Sequence, residues 1–198
     1  MEYVDLGLPS GTKWATCNVG ASETEEYGDY FAWGETTPKS TYDWSTYRWC
    51  NGDIDTMTKY CTQSQFGYNG FTDNLTELQP EDDAATANWG SGWKMPSYDQ
   101  IKELCNGSYT TSEWTQLNGV YGRKVTSKSN GNSIFLPAAG SRWDVELRDE
   151  GSDGYYWSSS LYPDDDIFAY GPRFDSGYWN WGYGDRGGGK PVRAVRVP

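Results

Sequence analysis

Three carboxylates in a row, Asp164, Asp165 and Asp166, are the residues of this chain best suited by type to acid–base chemistry. A pair such as Asp164 and Asp166 has the groups of a glycosidase, but that reaction needs a fixed carboxylate separation and one raised pKa. Nothing nearby in the sequence sets either. A second acidic run, Glu81-Asp82-Asp83, offers oxygen ligands to calcium but lacks the alternating ligands and the Gly of an EF-hand loop. Between Pro80 and a pair of alanines it reads better as the first turn of a helix, where acids favour the macrodipole. The chain has no His, which removes the commonest general base and the imidazole metal ligand. Cys17, Cys50, Cys61 and Cys105 are too widely spaced for a zinc knuckle or a redox pair. A Cys50–Cys61 disulfide and free buried thiols fit them equally. The expectation is a protein with no catalytic residue, no metal and no cofactor.

Recognition is the chemistry for which the residues are better chosen. From Ser160 to Gly189 there is no Glu, Gln, Lys or Met, although all four occur earlier in the chain. What remains is mainly Tyr, Asp, Gly, Ser, Asn, Arg and Pro, interrupted by Trp179 and Trp181. Tyr gives large rigid contact area at low entropic cost, and Gly, Ser and Asn give shape and adaptable hydrogen bonding. The same types also build ordinary surface loops on a small core. The two readings differ in whether the aromatic residues form one contiguous patch.

The whole chain limits the partners. Its 198 residues suit one domain spanning positions 1–198, with no linker-like stretch. Hydrophobic residues make up only 36% and mean hydropathy is -0.82, yet 17% aromatic residues argue against disorder. A net charge of -12 repels phosphate backbones and anionic membranes, so neither nucleic acid nor direct membrane insertion is expected. No run reaches transmembrane length, and polar EYVDLG after Met1 is not a signal segment.

The elements that must carry the aromatic stretch are short. Tyr3 to Val19, with a turn at Pro9-Ser10-Gly11, predicts an early strand pair. Ser22 to Tyr30 opens with a capping-box pattern and predicts a short helix weakened by Gly28. Phe31 to Gln79 lacks periodicity and predicts long loops packed through Trp44, Tyr47, Trp49, Tyr60, Phe66, Tyr68 and Phe71. Pro80 to Gly90 predicts a helix start. Gly92 to Cys105 predicts the clearest helix, capped by Ser97 with Gln100 and presenting Ile101, Leu104 and Cys105 on one face. Strands are expected at Gly122 to Ser127 and Ser133 to Pro137, around an Asn130-Gly131 turn whose two central residues favour positive φ. Further strands are expected at YYWSSS, Ile167 to Phe174 and Pro191 to Val197. The class is α+β, with short antiparallel strands, two or so short helices and much irregular loop.

The order of motifs carries a resemblance. GWKMPS before a helix, then IFLPAAG, YYWSSS and a closing GKPVRAVR resemble the C-type lectin-like fold of Fibrobacter succinogenes major paralogous domain proteins of Bacteroidetes. EYVDLGLPSGTKWATCNVGA and YGDYFAWGE resemble the N-terminal half of the same group, so the likeness spans nearly the whole chain. Within that fold the closing stretch resembles the variable region of diversity-generating retroelement proteins, in which template adenines are randomised. An adenine-randomised AAC or AAT codon never yields Glu, Gln, Lys, Met or Trp, and the first four are the types missing here.

The resemblance implies a C-type lectin-like display protein of a bacterial surface or phage tail, with a variable region at about 155–190. It would recognise a cell-surface protein or glycan, while the retroelement's reverse transcriptase acts on the gene and not on the protein. The positions implied to vary and bind ligand are Tyr162, Asp164, Asp165, Asp166, Ile167, Phe168, Tyr170, Gly171, Arg173, Asp175, Tyr178, Gly182, Tyr183, Gly184, Asp185, Gly187 and Gly188. Ile167 and Phe168, beside three aspartates, are expected to be exposed. Trp157, Phe174, Trp179, Trp181, Val192 and Val195 are implied to be fixed scaffold. In Tyr178-Trp179-Asn180-Trp181-Gly182 the two sets alternate, which turns one set outward in an extended segment. A non-diversified adhesin or glycan-binding module of the same fold is the alternative. Formylglycine-generating enzymes have a related fold but depend on a C-terminal cysteine pair, and no Cys follows Cys105. The Glu-Pro-Asn or Gln-Pro-Asp tripeptide of calcium-dependent lectins is also missing, Tyr162-Pro163-Asp164 being a partial echo.

Overall fold

The computed structural model describes residues 1–196. Its strands are, in chain order, Tyr3–Asp5 (β1), Lys13–Ala15 (β2), Thr110–Leu117 (β3), Val120–Ser127 (β4), Ser133–Pro137 (β5) and Ser141–Trp143 (β6). Glu146–Arg148 (β7), Gly154–Tyr155 (β8), Phe168–Phe174 (β9), Trp179–Asp185 (β10) and Val195–Arg196 (β11) follow. Two short helices, Ala84–Trp89 (α1) and Tyr98–Cys105 (α2), precede β3. The architecture is mixed α+β, with four small sheets in the orders β1-β2-β11, β3-β4-β5, β6-β7 and β10-β9-β8. All strand pairs in them are antiparallel. Among the described residues no helix is long and apolar enough to cross a membrane.

The helices form where local signals are strongest. Before α1, Pro80–Asp82 makes a single 3-10 turn, and the Asp83 carboxylate then accepts the Ala85 and Thr86 amides at 2.9 and 3.0 Å. It also accepts the Met95 amide, tying α1 to the following loop. Asp82 is buried against the Tyr60 hydroxyl and the Lys59 ammonium. For α2, Ser97 and Gln100 complete the expected capping box. Its Ile101 and Leu104 bury against Leu6, Leu8, Trp14, Val125, Ile134 and Val195, a cluster that Trp179 and Trp181 of β10 also join. The helix therefore supports the sheet that carries the aromatic stretch.

Between Phe31 and Gln79 the chain has only bridges, turns and two 3-10 turns, Ser64–Phe66 and Tyr68–Gly70. Tyr42, Tyr47, Met57 and Cys61 form a core there with Ile167, and Trp44, Trp49 and Phe66 pack against it. Tyr68 and Phe71 stay exposed at the surface. All four cysteines are free thiols.

Several local expectations give way to tertiary demands. Ser22 to Tyr30 makes turns and no helix, because the Glu26 carboxylate accepts the Ser22 and Glu23 amides and Gly28 takes a φ of 72°. Of YYWSSS only Tyr155 is in a strand. The amides of Ser158 and Ser159 instead go to Tyr170 and Pro96 carbonyls, which threads this segment between two elements. In the β4–β5 loop only Gly131 has positive φ, since the Ser127 hydroxyl accepts the Ser129 and Asn130 amides and makes a longer turn. Of the expected strand from Pro191 to Val197, only Val195–Arg196 is extended in the sheet, and Val197 lies outside the described residues.

Candidate functional site

β9 lies between β8 and β10, and its register sets Tyr170 opposite Tyr183, Pro172 opposite Trp181 and Phe168 opposite Asp185. Directly paired residues share a sheet face. Phe168, Tyr170, Trp181 and Tyr183 therefore stand on one face, and Ala169, Gly171, Arg173, Asn180, Gly182 and Gly184 on the other. On the aromatic face Tyr98, at the start of α2, stacks on Tyr170 with centroids 3.8 Å apart and planes 9° from parallel. Trp181 meets both rings edge-on at 5.4 and 5.5 Å. Tyr162, from the preceding loop, is edge-on to Tyr170 at 5.2 Å and stacks on Tyr183 at 4.2 Å. Phe168 closes the series 5.2 Å from Tyr183. Six rings from a helix, a loop and two strands thus form one continuous row.

The row runs from half-buried to open. Tyr170 is buried, and its phenol is pushed up to about 12 by loss of solvent and by its tyrosine neighbours. Tyr183 is 50% exposed. Asp164 is exposed beside this open end, and Asp165, whose carboxyl burial raises, accepts the Ile167 amide at 3.2 Å. At the other end a groove of about 310 Å³ lies between Tyr98, Tyr170, Thr62, Ser97 and Glu77. There the Ser159 hydroxyl donates to the Glu77 carboxylate at 2.8 Å, as does that of Ser160. Rings offering faces and edges, flanked by carboxylates and hydroxyls, can hold an amphipathic ligand by stacking and hydrogen bonding.

The structure sorts the positions expected to vary. Asp164, Tyr178, Tyr183 and Asp185 are exposed, and Tyr162, Asp165, Phe168, Arg173, Asp175, Gly182 and Gly184 are half-buried. Tyr170, Asp166, Ile167, Gly171, Gly187 and Gly188 are buried, and the last five support the surface without forming it. Asp166 accepts the Thr62 and Gln63 amides at 2.8 and 2.7 Å. Ile167 is 7% exposed in the core with Tyr47 and Met57, which corrects the expectation of an exposed side chain; Phe168 is half-covered by the row. A Cβ on Gly171 would overlap the Tyr156 carbonyl oxygen. One on Gly187 would press on the Trp44 ring at 3.1 Å, and one on Gly188 would meet Trp143 and the Arg142 carbonyl at 3.5 Å. Asp164 and Asp166, the pair considered for acid–base chemistry, occupy unlike settings, one open to solvent and the other satisfied by amides.

Among the scaffold positions, Trp157, Phe174, Val192 and Val195 are fully buried, while Trp179 and Trp181 are half-buried on the α2 cluster. Alternation in β10 holds, but Tyr183 shares its face with the two tryptophans. Sequence reasoning missed Tyr98, whose role depends on a strand far along the chain, and Arg186. The Arg186 guanidinium is buried, 4.9 Å over the Trp33 ring. It donates to the Tyr60, Asp166 and Lys59 carbonyls, each at 2.8 Å, and to the Tyr47 hydroxyl. It was legible only as a lone cation before three glycines. Among the described residues no group of three His, Cys, Asp or Glu side chains is placed to hold a metal ion. No protein-family model, curated protein or solved structure matches the chain.

Proposed function

We propose that this protein is a recognition module of the C-type lectin-like kind, displayed on a bacterial surface or phage tail. Its β9–β10 surface, diversified by a retroelement, binds a cell-surface protein or glycan. The observation that carries the reading is the continuous row of six rings, built largely from the segment that lacks Glu, Gln, Lys and Met. A contiguous apolar surface marks an interaction site where scattered aromatics do not, and this row reaches solvent through Tyr183 with half-buried Tyr162 and Phe168 beside it. The module acts by recognition alone, with Tyr162 and Tyr183 as anchors and Asp164 and Asp165 as polar neighbours.

The burial of Asp166, Ile167, Gly171, Gly187 and Gly188 favours a second reading, a fixed adhesin of the same fold, because free substitution there would damage the core. Aligning the codons from Ser160 to Arg196 with flanking DNA separates the two. Diversification requires a near-copy differing almost only at adenines, with those adenines at the codons of Tyr162, Asp164, Tyr178 and Tyr183 and not at that of Gly171. No such copy leaves the fixed adhesin. On either reading, Tyr183→Ala weakens binding of the purified protein to its target cells by about tenfold, as loss of a central aromatic anchor does. Unchanged cell binding would remove the aromatic row from the site.

A further inference from the structure

A second groove, of about 390 Å³, opens between the β6–β7 hairpin and the β8–β9–β10 sheet. The chain carries 16 Lys and Arg against 28 Asp and Glu. Yet four of those cations, Arg142, Arg148, Arg173 and Lys190, line this one groove, with Asp185 as its carboxylate. Ion pairs among the described residues are Lys39–Glu35, Lys59–Asp82, Lys102–Asp99 and Arg148–Glu146. Only Arg148, at the rim, is neutralised in this way. Lys190 is held by rings instead, its ammonium 4.2 Å from the Trp157 centroid and 5.6 Å from that of Tyr155. Arg173 lies over Tyr155 and Tyr178, and Arg142 over Tyr30 at 4.7 Å. Gly184 roofs the Lys190 ammonium so closely that a Cβ there would overlap it.

Three cations that share the single carboxylate of Asp185 in one concavity focus a positive potential on an otherwise acidic molecule, and a bound anion relieves their repulsion. Burial and Arg173 already lower the Lys190 ammonium to about 8 against the pull of Asp185. Trp143 also lines the groove and offers it an apolar face, whereas the Tyr183 ring lies on the opposite face of the sheet, against Tyr162 and Phe168. The volume suits one or two sugar rings. We propose that this groove binds an acidic saccharide, its carboxylate or sulfate held by Arg173 and Lys190 and its ring lying along Trp143. The choice of a saccharide rests on the recognition reading above, whereas the demand for an anion comes from the groove itself.

Calorimetric titration tests this with trigalacturonate, its methyl ester as the neutral counterpart, and a sulfated glycosaminoglycan disaccharide. At least one acidic sugar should bind, about tenfold more tightly than the ester and more weakly as salt rises. Which acid binds identifies the anionic group. Lys190→Met should cost that sugar about tenfold, and Arg148→Ala, at an exposed position that does not threaten folding, about threefold. Binding of acid and ester alike, or of neither acidic sugar, overturns the proposal. If target cells still capture the protein through Tyr183 in that case, the groove has failed and the recognition reading has not.

Discussion

Asp166 shows why residue type alone misassigns a side chain. It stands in a run of three aspartates that looks solvated, yet it closes the Tyr60–Gln63 loop by accepting the Thr62 and Gln63 amides and the Thr62 hydroxyl. Its own carbonyl accepts from Arg186. Asp166 is itself fully buried and Asp166→Ala leaves two part-buried amides without their acceptor, so it should cost about 2 kcal/mol in denaturant unfolding, whereas Asp164→Ala, exposed, should stay within about 0.5 kcal/mol. Equal small effects would return Asp166 to the surface. The cysteines behave in the opposite sense, as reactive types made inert. Burial raises the Cys61 thiol to about 11 and that of Cys105 to about 12, and raises Cys17 and Cys50 as well. The thiolate is the nucleophile, so native protein at neutral pH should resist iodoacetamide and take up the label only on unfolding. Rapid stoichiometric labelling of folded protein would contradict this burial.

Among the elements, β9 decides how the site is built. It is covered on both faces: Ala169 packs in the Trp157 core, while Tyr170 stacks on Tyr98. Gly171 lets it cross against Tyr156. Gly171→Ala should therefore cost about 3 kcal/mol or more. Gly182→Ala, its partner in register, meets only the flexible Arg173 side chain at 3.1 Å and should cost well under half as much. Matching unfolding midpoints for the two variants would refute the packing of β9 on this backbone. The pair also marks what is legible in the sequence. The α2 capping box and the β4 and β5 strands depend on residues a few positions apart, and all three are readable locally. The positions implied as scaffold at Trp157, Phe174, Val192 and Val195 are likewise buried. Which glycines of the closing stretch shape a surface and which admit a neighbouring backbone depends on Tyr156, Trp44 and Arg142, supplied by distant segments. The same distance hides Tyr98 from a reading confined to one stretch.

At the scale of the whole molecule, the core is made largely of rings with polar tips, and that gives stability a defined dependence on pH. The buried phenols of Tyr30, Tyr42, Tyr60 and Tyr156 donate to the Ala139 carbonyl at 2.7 Å, the Tyr30 carbonyl at 2.6 Å, Asp82 at 2.6 Å and the Pro137 carbonyl at 2.9 Å. Donation requires the neutral phenol. Burial raises each above the ordinary value of 10.0, Tyr156 to about 12. The unfolded chain thus releases these protons at lower pH than the folded one. Their contribution is complete below pH 10 and is lost as pH rises through the folded values. Lys190 has the opposite sign. Its folded value of about 8 lies below the ordinary 10.5, so folding pays to keep it charged near neutrality, and that cost disappears between those values as pH rises. Arg173, Asp185, Tyr155 and Arg142 face it from β9, β10, β8 and β6, and only the charge of Asp185 opposes the loss of its proton at these pH values. Unfolding free energy should then climb from about pH 8 towards pH 10 and fall steeply beyond. Lys190→Met should be more stable than the parent at neutral pH, should lack the climb and should keep the fall. A profile flat above pH 10 would contradict the tyrosine core. A parent and variant that climb alike would show that Lys190 is not held charged against its surroundings, removing the cost in stability expected of a cation kept for binding.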